Sequence, residues 1–337
     1  MKKVSVVIPT HNRPGLLREA VNSVIGQTYS NWEVVIVDDG SQPPVCQDTL
    51  QQDFGSRIKV LRNDEPLMQP YARDQGVKAA SGEIVVHLDD DDLLAPDALE
   101  NGVAALLHDP SLELVFLNVR GFGKCANEFE MSQARAMRRV LDLIEPDTVI
   151  TGTVRFGQEL FAALLYSVPM AFQRSIEYRV TWNKVSALRR RAYSLGLETV
   201  DDEAVMRQLH PPLRESEWSM YAAACCKTAL LLEPLYMQRC EKQGYFSIDG
   251  QREAATRSLI EINRHLLDAA GAMAEFRPWA AAIRESLSRA HFDQSNFYYR
   301  EEQKLKAYKA LINASRDRFS LQHLKFAMRM LFTKSGA

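Results

Sequence analysis

The sequence predicts an α/β fold, a mostly parallel sheet flanked by helices, followed by a helical C-terminal region. Three observations predict it. Short apolar runs alternate with helical patterns over the first 120 residues, the signature of βαβ units. Acidic residues cluster where two of those runs end, and open α/β sheets bind ligands beyond the carboxyl ends of their strands. After Gly250 the apolar spacing becomes helical.

The expected strands span residues 4–9, 32–37, 58–61, 84–88 and 112–117. Between the first two, Leu17, Val21, Val24 and Thr28 recur at helical spacing, with Pro14 where a first helical turn tolerates it. A second crossover helix over residues 71–80 stops at Ser81-Gly82, and a third opens at Pro96 and closes at Asp109-Pro110. The strand and helix unit repeats four times. Residues 121–197 are less regular and carry a basic stretch, Arg174, Arg179, Lys184, Arg189, Arg190 and Arg191. Helical spacing returns at Leu259, Ile262, Leu266 and Leu267, then at Leu305, Tyr308 and Leu311, then at Leu321, Leu324, Met328 and Leu331. The expected organisation is one α/β domain over 1–240, with halves 1–120 and 121–240, and a helical region over 241–337.

The 337 residues carry a net charge of -2, which gives no global basic field for nucleic acid. Met1-Lys2-Lys3 runs directly into a buried-strand pattern, too short for a signal peptide, and no run of about 18 apolar residues exists. A cytoplasmic protein is expected. Five cysteines without paired spacing read as buried or inert thiols in a reducing compartment.

Strand one leads into Pro9-Thr10-His11-Asn12-Arg13, strand two into Asp38-Asp39-Gly40-Ser41, and strand four into Asp89-Asp90-Asp91-Asp92. Adjacent carboxylates raise one another's proton affinity unless a cation neutralises them. Oxygen donors favour hard divalent ions such as Mg2+ or Mn2+, whose shells phosphate oxygens often complete. A metal with a phosphorylated ligand is therefore the reading of the Asp run. A solvated helix-capping turn is the plain alternative, but it needs only one or two Asp. Alone, Asp38-Asp39-Gly40-Ser41 reads as a turn; two acidic strand ends in one sheet shift the balance toward a site.

These segments, together with Ala72-Arg73-Asp74-Gln75-Gly76 and Ala80-Ser81-Gly82-Glu83, resemble in order and spacing the inverting, non-processive family 2 glycosyltransferases of GT-A fold. The resemblance covers about the first hundred residues. It implies transfer of a sugar from a nucleotide diphosphate-sugar, UDP by default with dTDP or GDP open, to a saccharide or glycolipid acceptor. It further implies that Pro9, Thr10, Asn12, Arg13, Asp38, Asp39, Arg73, Asp89 and Asp90 line the nucleotide-sugar, with Asp39 on the base and Arg73 on the diphosphate side. Asp91 would be the direct metal ligand, with Asp89 the other outer member of the DXD motif. Asp74 departs from the family, which usually shows Asn there. The Gln-x-x-Arg-Trp motif and membrane helices of processive members are absent.

Such a transfer needs neutralisation of the leaving diphosphate, an aligned acceptor hydroxyl, and a general base on the opposite face. The resemblance points to an acidic motif before an aromatic and a later Glu-Pro-Leu-Tyr segment. Arg214-Glu215-Ser216-Glu217-Trp218 and Glu233-Pro234-Leu235-Tyr236 are similar to these, which puts Glu217 at the base position with Asp202 and Glu215 as rivals. An N-terminal helix carboxylate favoured by the helix dipole, without catalysis, is the plain alternative for Glu217. Arg189-Arg190-Arg191 reads as a solvated face, with a diphosphate or lipid phosphate as the alternative. The basic and apolar stripe from Arg316 to Lys334 would pack on the protein's own core or a second subunit, or lie on an anionic membrane. Two other functions remain open: a nucleotidyltransferase, which would carry a Gly-rich phosphate loop after strand one, and a non-catalytic sugar-nucleotide or saccharide-binding protein.

Overall fold

The computed structural model describes residues 1–141, 148–150, 153–156, 159–165, 170–195, 214–241 and 248–332. The chain divides into two compact units, Met1–Leu209 with Arg214–Gln243, and His210–Leu213 with Gly244–Ala337.

The first unit is built on a ten-stranded sheet. Its strands are β1 (Val4–Thr10), β2 (Trp32–Asp39), β3 (Ile58–Asn63), β4 (Ile84–His87), β5 (Leu93–Leu94), β6 (Leu114–Phe122), β7 (Thr148–Ile150), β8 (Thr153–Phe156), β9 (Ser175–Tyr178) and β10 (Thr228–Arg239). They run in the order β3-β2-β1-β4-β9-β6-β10-β8-β7, with β5 on β10. The block β3-β2-β1-β4 is parallel throughout, and β9 lies antiparallel between β4 and β6. The described helices are α1 (Pro14–Ile25), α2 (Gln47–Phe54), α3 (Gln69–Ala79), α4 (Ala98–His108), α5 (Ala126–Leu141), α6 (Glu159–Leu164), α7 (Arg179–Tyr193) and α8 (Arg214–Cys225).

Every residue of β1 is buried, as expected of a central parallel strand covered on both faces. Val4, Val6 and Ile8 join Leu17, Val21 and Val24 of α1 in the main core cluster. Pro9 is tolerated inside this strand because β4 has already ended at His87, opposite Val7, so no partner is denied a backbone N–H on that side. Helix α3 covers the other face so closely that a Cβ on Gly76 would lie 2.3 Å from Val7 Cγ1.

Each expected strand shifts at one end or both, and two of these shifts bear on the site. Asp38 and Asp39 lie within β2, in register with Thr10, Arg62 and Asn63, because Arg62 and backbone donors compensate the charge. The strand expected from residue 112, β6, begins at Leu114, while Leu112 is a buried turn residue bonded to the Asp109 carbonyl. Strand β9, which falls in the stretch expected to be less regular, had no clear sequence signal. It is four residues long. Of the five free cysteines, Cys125 and Cys240 are buried, Cys225 and Cys226 are partly buried, and Cys46 is exposed.

Glu33 of β2 binds the N-terminal half together at the far end of the strands. It accepts from Ser5 Oγ and Ser81 N–H, both at 2.6 Å, from Lys3 Nζ at 2.7 Å and from Ser81 Oγ at 2.8 Å. Burial opposes its charge, but Lys3, Ser5 and Ser81 prevail and bring the carboxyl down to about 2.

The second unit contains α9 (Ile248–Ala272), α10 (Ala280–Arg300), α11 (Lys304–Asp317) and α12 (Leu321–Phe332). Phe292 of α10, Ala307, Leu311 and Ala314 of α11, and Phe326 and Met330 of α12 form its core. Among the described residues no helix is long and apolar enough to cross a membrane.

Gly76→Ala should cost about 1–3 kcal/mol through overpacking against Val7, read as a lower urea midpoint at unchanged m-value. Glu33→Gln should cost on the order of 2 kcal/mol at neutral pH. Because the folded carboxyl titrates below its unfolded value, that stabilisation is present above about 4.5 and is lost as pH falls toward about 2. Melting curves of the two proteins should therefore converge in acid.

Candidate active site

The carboxyl ends of β1, β2 and β4 converge with the start of α3, the residue before β9 and the end of β10. The loops after β1 and β2 are stitched together. The backbone N–H of Asn12 donates to Ser41 Oγ at 3.0 Å, and Asn12 Oδ1 accepts from Gln42 N–H at 2.7 Å. Asn12 sits at φ 56°, a left-handed conformation that Asn tolerates. The His11 ring lies 2.7 Å from the Asp39 carbonyl, which gives His11 a structural partner.

The two β2 carboxylates hold separate loops. Asp38, fully buried, accepts from Ser41 N–H at 2.9 Å, Val45 N–H at 3.0 Å and Arg62 at 2.5 Å. Burial is outweighed by these donors, and the Asp38 carboxyl lies below its ordinary value. Asp39 accepts from Asn63 Nδ2 and Leu67 N–H at 2.8 Å and from Met68 N–H at 3.0 Å, fixing the approach to α3.

Beyond β4 the four carboxylates take four different environments. Asp89 accepts from Arg73 at 2.6 Å, Gln69 at 2.7 Å and Arg174 at 2.8 Å. Burial disfavours its charge, but Arg174 and Arg73 hold the carboxyl below its ordinary value. Asp90 accepts from Thr10 Oγ1 at 2.7 Å and Arg13 at 3.1 Å. Asp91 meets Arg13 at 2.9 Å, and its side chain is 34% exposed. Burial raises both carboxyls, with Asp89 adding to the effect at Asp91. Asp92 is fully buried and accepts from Tyr236 Oη at 3.1 Å and Arg239 N–H at 2.8 Å. Burial, opposed by Arg174 and reinforced by the charges of Asp89 and Asp91, pushes Asp92 up to about 8.

Asp89, Asp91 and Asp92 each bring a carboxylate oxygen within 4.8 Å of the others. The all-oxygen donor set fits a hard divalent cation, which would relieve the repulsion that Asp89 and Asp91 add to the burial of Asp92. Asp91 is the most accessible member. A solvated turn does not describe this run, because Asp90 and Asp92 are buried.

Thus Thr10, Arg13, Asp90 and Asp91 meet, and Arg73 joins through Asp89. Asp38 and Asp39 contribute by shaping the loops. Four contributors were not foreseen in these roles: Gln69, Arg174, Tyr236 and Arg239. Tyr236 lay within the Glu-Pro-Leu-Tyr segment and Arg174 within the basic stretch, but neither position advertises an Asp partner in the linear order.

Next to Arg73 is a small cavity of about 30 Å³ whose lining includes His87, Trp182, Arg189 and Trp218. Trp182 and Trp218 stack with centroids 4.7 Å apart, and Trp182 packs on His87 at 4.0 Å. Glu217 in α8 is 1% exposed, and its carboxylate accepts from the Tyr193 hydroxyl. Trp218 forms part of the cavity wall, while Glu217 is not among the lining residues. Glu215 lies in the first turn of the same helix, and Asp202 lies outside the described residues.

Asp74 explains its departure from Asn. It accepts from Trp182 Nε1 at 2.9 Å, Ser186 Oγ at 3.2 Å and Arg190 at 3.1 Å, so α7 supplies a cation for the extra charge. The arginine run is accordingly not a uniform solvated face: Arg189 is buried, Arg190 pairs with Asp74, and only Arg191 is exposed.

The family model Glycosyl transferase family 2 matches residues 5–185. The UDP-Glc:alpha-D-GlcNAc-diphosphoundecaprenol beta-1,3-glucosyltransferase WfgD of Escherichia coli is 34% identical over 104 residues, 31% of this chain and 41% of that protein. The chain spans well under half the length of the curated relatives it matches, from 16% to 41% of the first four. S. aureus TarS 1-349 in complex with UDP-GlcNAc is similar in fold, with a TM-score of 0.52 at 16% identity, covering 93% of this chain and 91% of that one. Mannosyltransferase PcManGT from Pyrobaculum calidifontis, in complex with GDP-Man and Mn2+, gives a TM-score of 0.51 at 17% identity over 97% of this chain and 79% of that one. These structural likenesses establish a GT-A-like fold and no more. With more than half of its residues matched by the family model and its sheet ordered as described, the chain belongs to glycosyl transferase family 2.

Proposed function

We propose that this protein transfers a sugar from a nucleotide diphosphate-sugar to an acceptor hydroxyl, with inversion at the anomeric carbon, and that UDP-sugars are its donors. The observation that carries this reading is the Asp89–Asp92 cluster flanked by Arg13 and Arg73, an acidic cation site next to donors for phosphate. The names of relatives support the ligand class: WfgD is named for UDP-Glc, TarS was solved with UDP-GlcNAc, and PcManGT with GDP-Man and Mn2+. A relative of E. coli K12 named as a putative colanic acid biosynthesis transferase supports a cell-surface saccharide or lipid-linked glycan as acceptor.

In this reading Asp91 and Asp89, joined by Asp92, would hold Mn2+ or Mg2+, which when bound would supply Lewis-acid neutralisation of the departing diphosphate. Arg13, half exposed at the mouth, and Arg73 add fixed positive charge for the phosphates. Thr10 and Asp90 orient the Arg13 side, and Asp39 holds the loop against which the base would sit. Glu217 takes the proton of the acceptor hydroxyl, which enters beside Trp218 and displaces the Tyr193 hydroxyl from the carboxylate. A single displacement with attack from the face opposite the diphosphate inverts the anomeric centre.

Thermal stabilisation by nucleoside diphosphates with Mn2+ tests the site. UDP at 100 times its Kd should stabilise the wild type by about 2.7 kcal/mol. Asp91→Ala should lose the metal-dependent part, and absence of any nucleotide response in the wild type would defeat the proposal. Glu217→Gln should keep nucleotide binding while turnover falls roughly 100- to 10,000-fold. Undiminished turnover in that variant would move the base to Asp202 or Glu215.

A further inference from the structure

Helices α11 and α12 each have two faces of different use. Ala307, Leu311 and Ala314 of the first, and Phe326 and Met330 of the second, point into the core formed with Phe292. On the outer side of α11, Leu305, Lys309, Ile312 and Arg316 follow one another at spacings of four, three and four residues, which places them on one stripe. On the outer side of α12, Leu321, Leu324 and Met328 form a second stripe flanked by Lys325 and Arg329. Leu305 is 70% exposed, Leu321 71% and, in the turn between the helices, Phe319 64%. Both stripes lie opposite the shared core, so both face away from α10. Six of the exposed large apolar side chains among the described residues fall within this short segment. Of the stripe expected to pack on the protein's own core or on a second subunit, Phe326 is buried in this core, whereas Phe319, Leu321, Leu324 and Met328 are exposed.

The charge on the segment is equally uneven. Residues 304–332 contain seven basic side chains and a single acidic one, Asp317, in a chain whose net charge is -2. Asp317 is turned toward His291 at 3.7 Å. Arg318 is engaged by Glu285, and the remaining basic residues of the outer faces project beside the apolar ones.

We propose that this face docks on an anionic lipid bilayer. Apolar side chains of this kind enter the acyl boundary, while the long stems of Lys and Arg let their charges stay among the headgroups. Charge complementarity selects the occupant. A second copy related by a two-fold axis would set the same basic face against itself, because an isologous interface pairs a patch with its own image. An anionic surface meets both the charge and the apolar stripes. The assignment is independent of the nucleotide site.

The test is co-sedimentation of the full chain with vesicles of phosphatidylcholine alone or with one third phosphatidylglycerol. Binding is expected to the anionic vesicles only and to weaken as salt rises, since surface attraction is screened within a Debye length. Lys325→Gln should reduce partitioning roughly fivefold. Leu321→Asp combined with Leu324→Asp should abolish it without lowering the melting temperature, because both side chains are exposed. Failure to sediment with anionic vesicles, equal binding to both compositions, or a concentration-dependent dimer dissolved by the double variant would each overturn the proposal.

Discussion

Four carboxylates on one strand end repel one another, and the first unit is arranged around their compensation. The cations come from separate parts of the chain: Arg13 after β1, Arg73 on α3 and Arg174 before β9. Arg239 adds backbone and guanidinium donors from β10. Because no two of these lie on the same element, the site exists only when the sheet and α3 have closed. Compensation is unequal. Asp89 has two guanidiniums that hold its carboxyl below its ordinary value, whereas Asp92 has hydrogen bonds from Tyr236 and Arg239 and a more distant Arg174, and burial pushes it up to about 8. The cluster therefore has an unmet demand for positive charge beside its most exposed member, Asp91.

The same constraint explains the geometry behind the site. Helix α3 must lie close to β1 for Arg73 to reach Asp89, and Gly76 makes that approach sterically feasible. One residue beyond Arg73, Asp74 points into α7 and is satisfied by Trp182, Ser186 and Arg190. The stack of Trp182 on Trp218 then carries the contact on to α8, so the helix bearing Glu217 is positioned by packing that starts at α3.

Much of the N-terminal half was legible in the linear sequence. The buried run of β1, the amphipathic spacing of α1 and the acidic strand ends follow from local periodicity and local charge, which neighbouring residues reveal. The helical C-terminal region was legible for the same reason. The short β9 was not, because a four-residue strand lacks enough period to register. The depth of Asp38 in its strand was also hidden, since its compensating Arg62 is 24 residues away. The arginine run misled because like charges in sequence separate in a helix: α7 buries Arg189, pairs Arg190 with Asp74 and exposes Arg191.

By itself, the sequence determined the fold class, the family resemblance and the position of the acidic cluster, because each is written in contiguous segments. Only the tertiary structure decided which carboxylate is neutralised, which is crowded, and which cations serve them. It also decided that one side of α12 is core and the other is exposed. Charge compensation and burial depend on distances between residues far apart in the chain, and those distances are set when the sheet and helices pack.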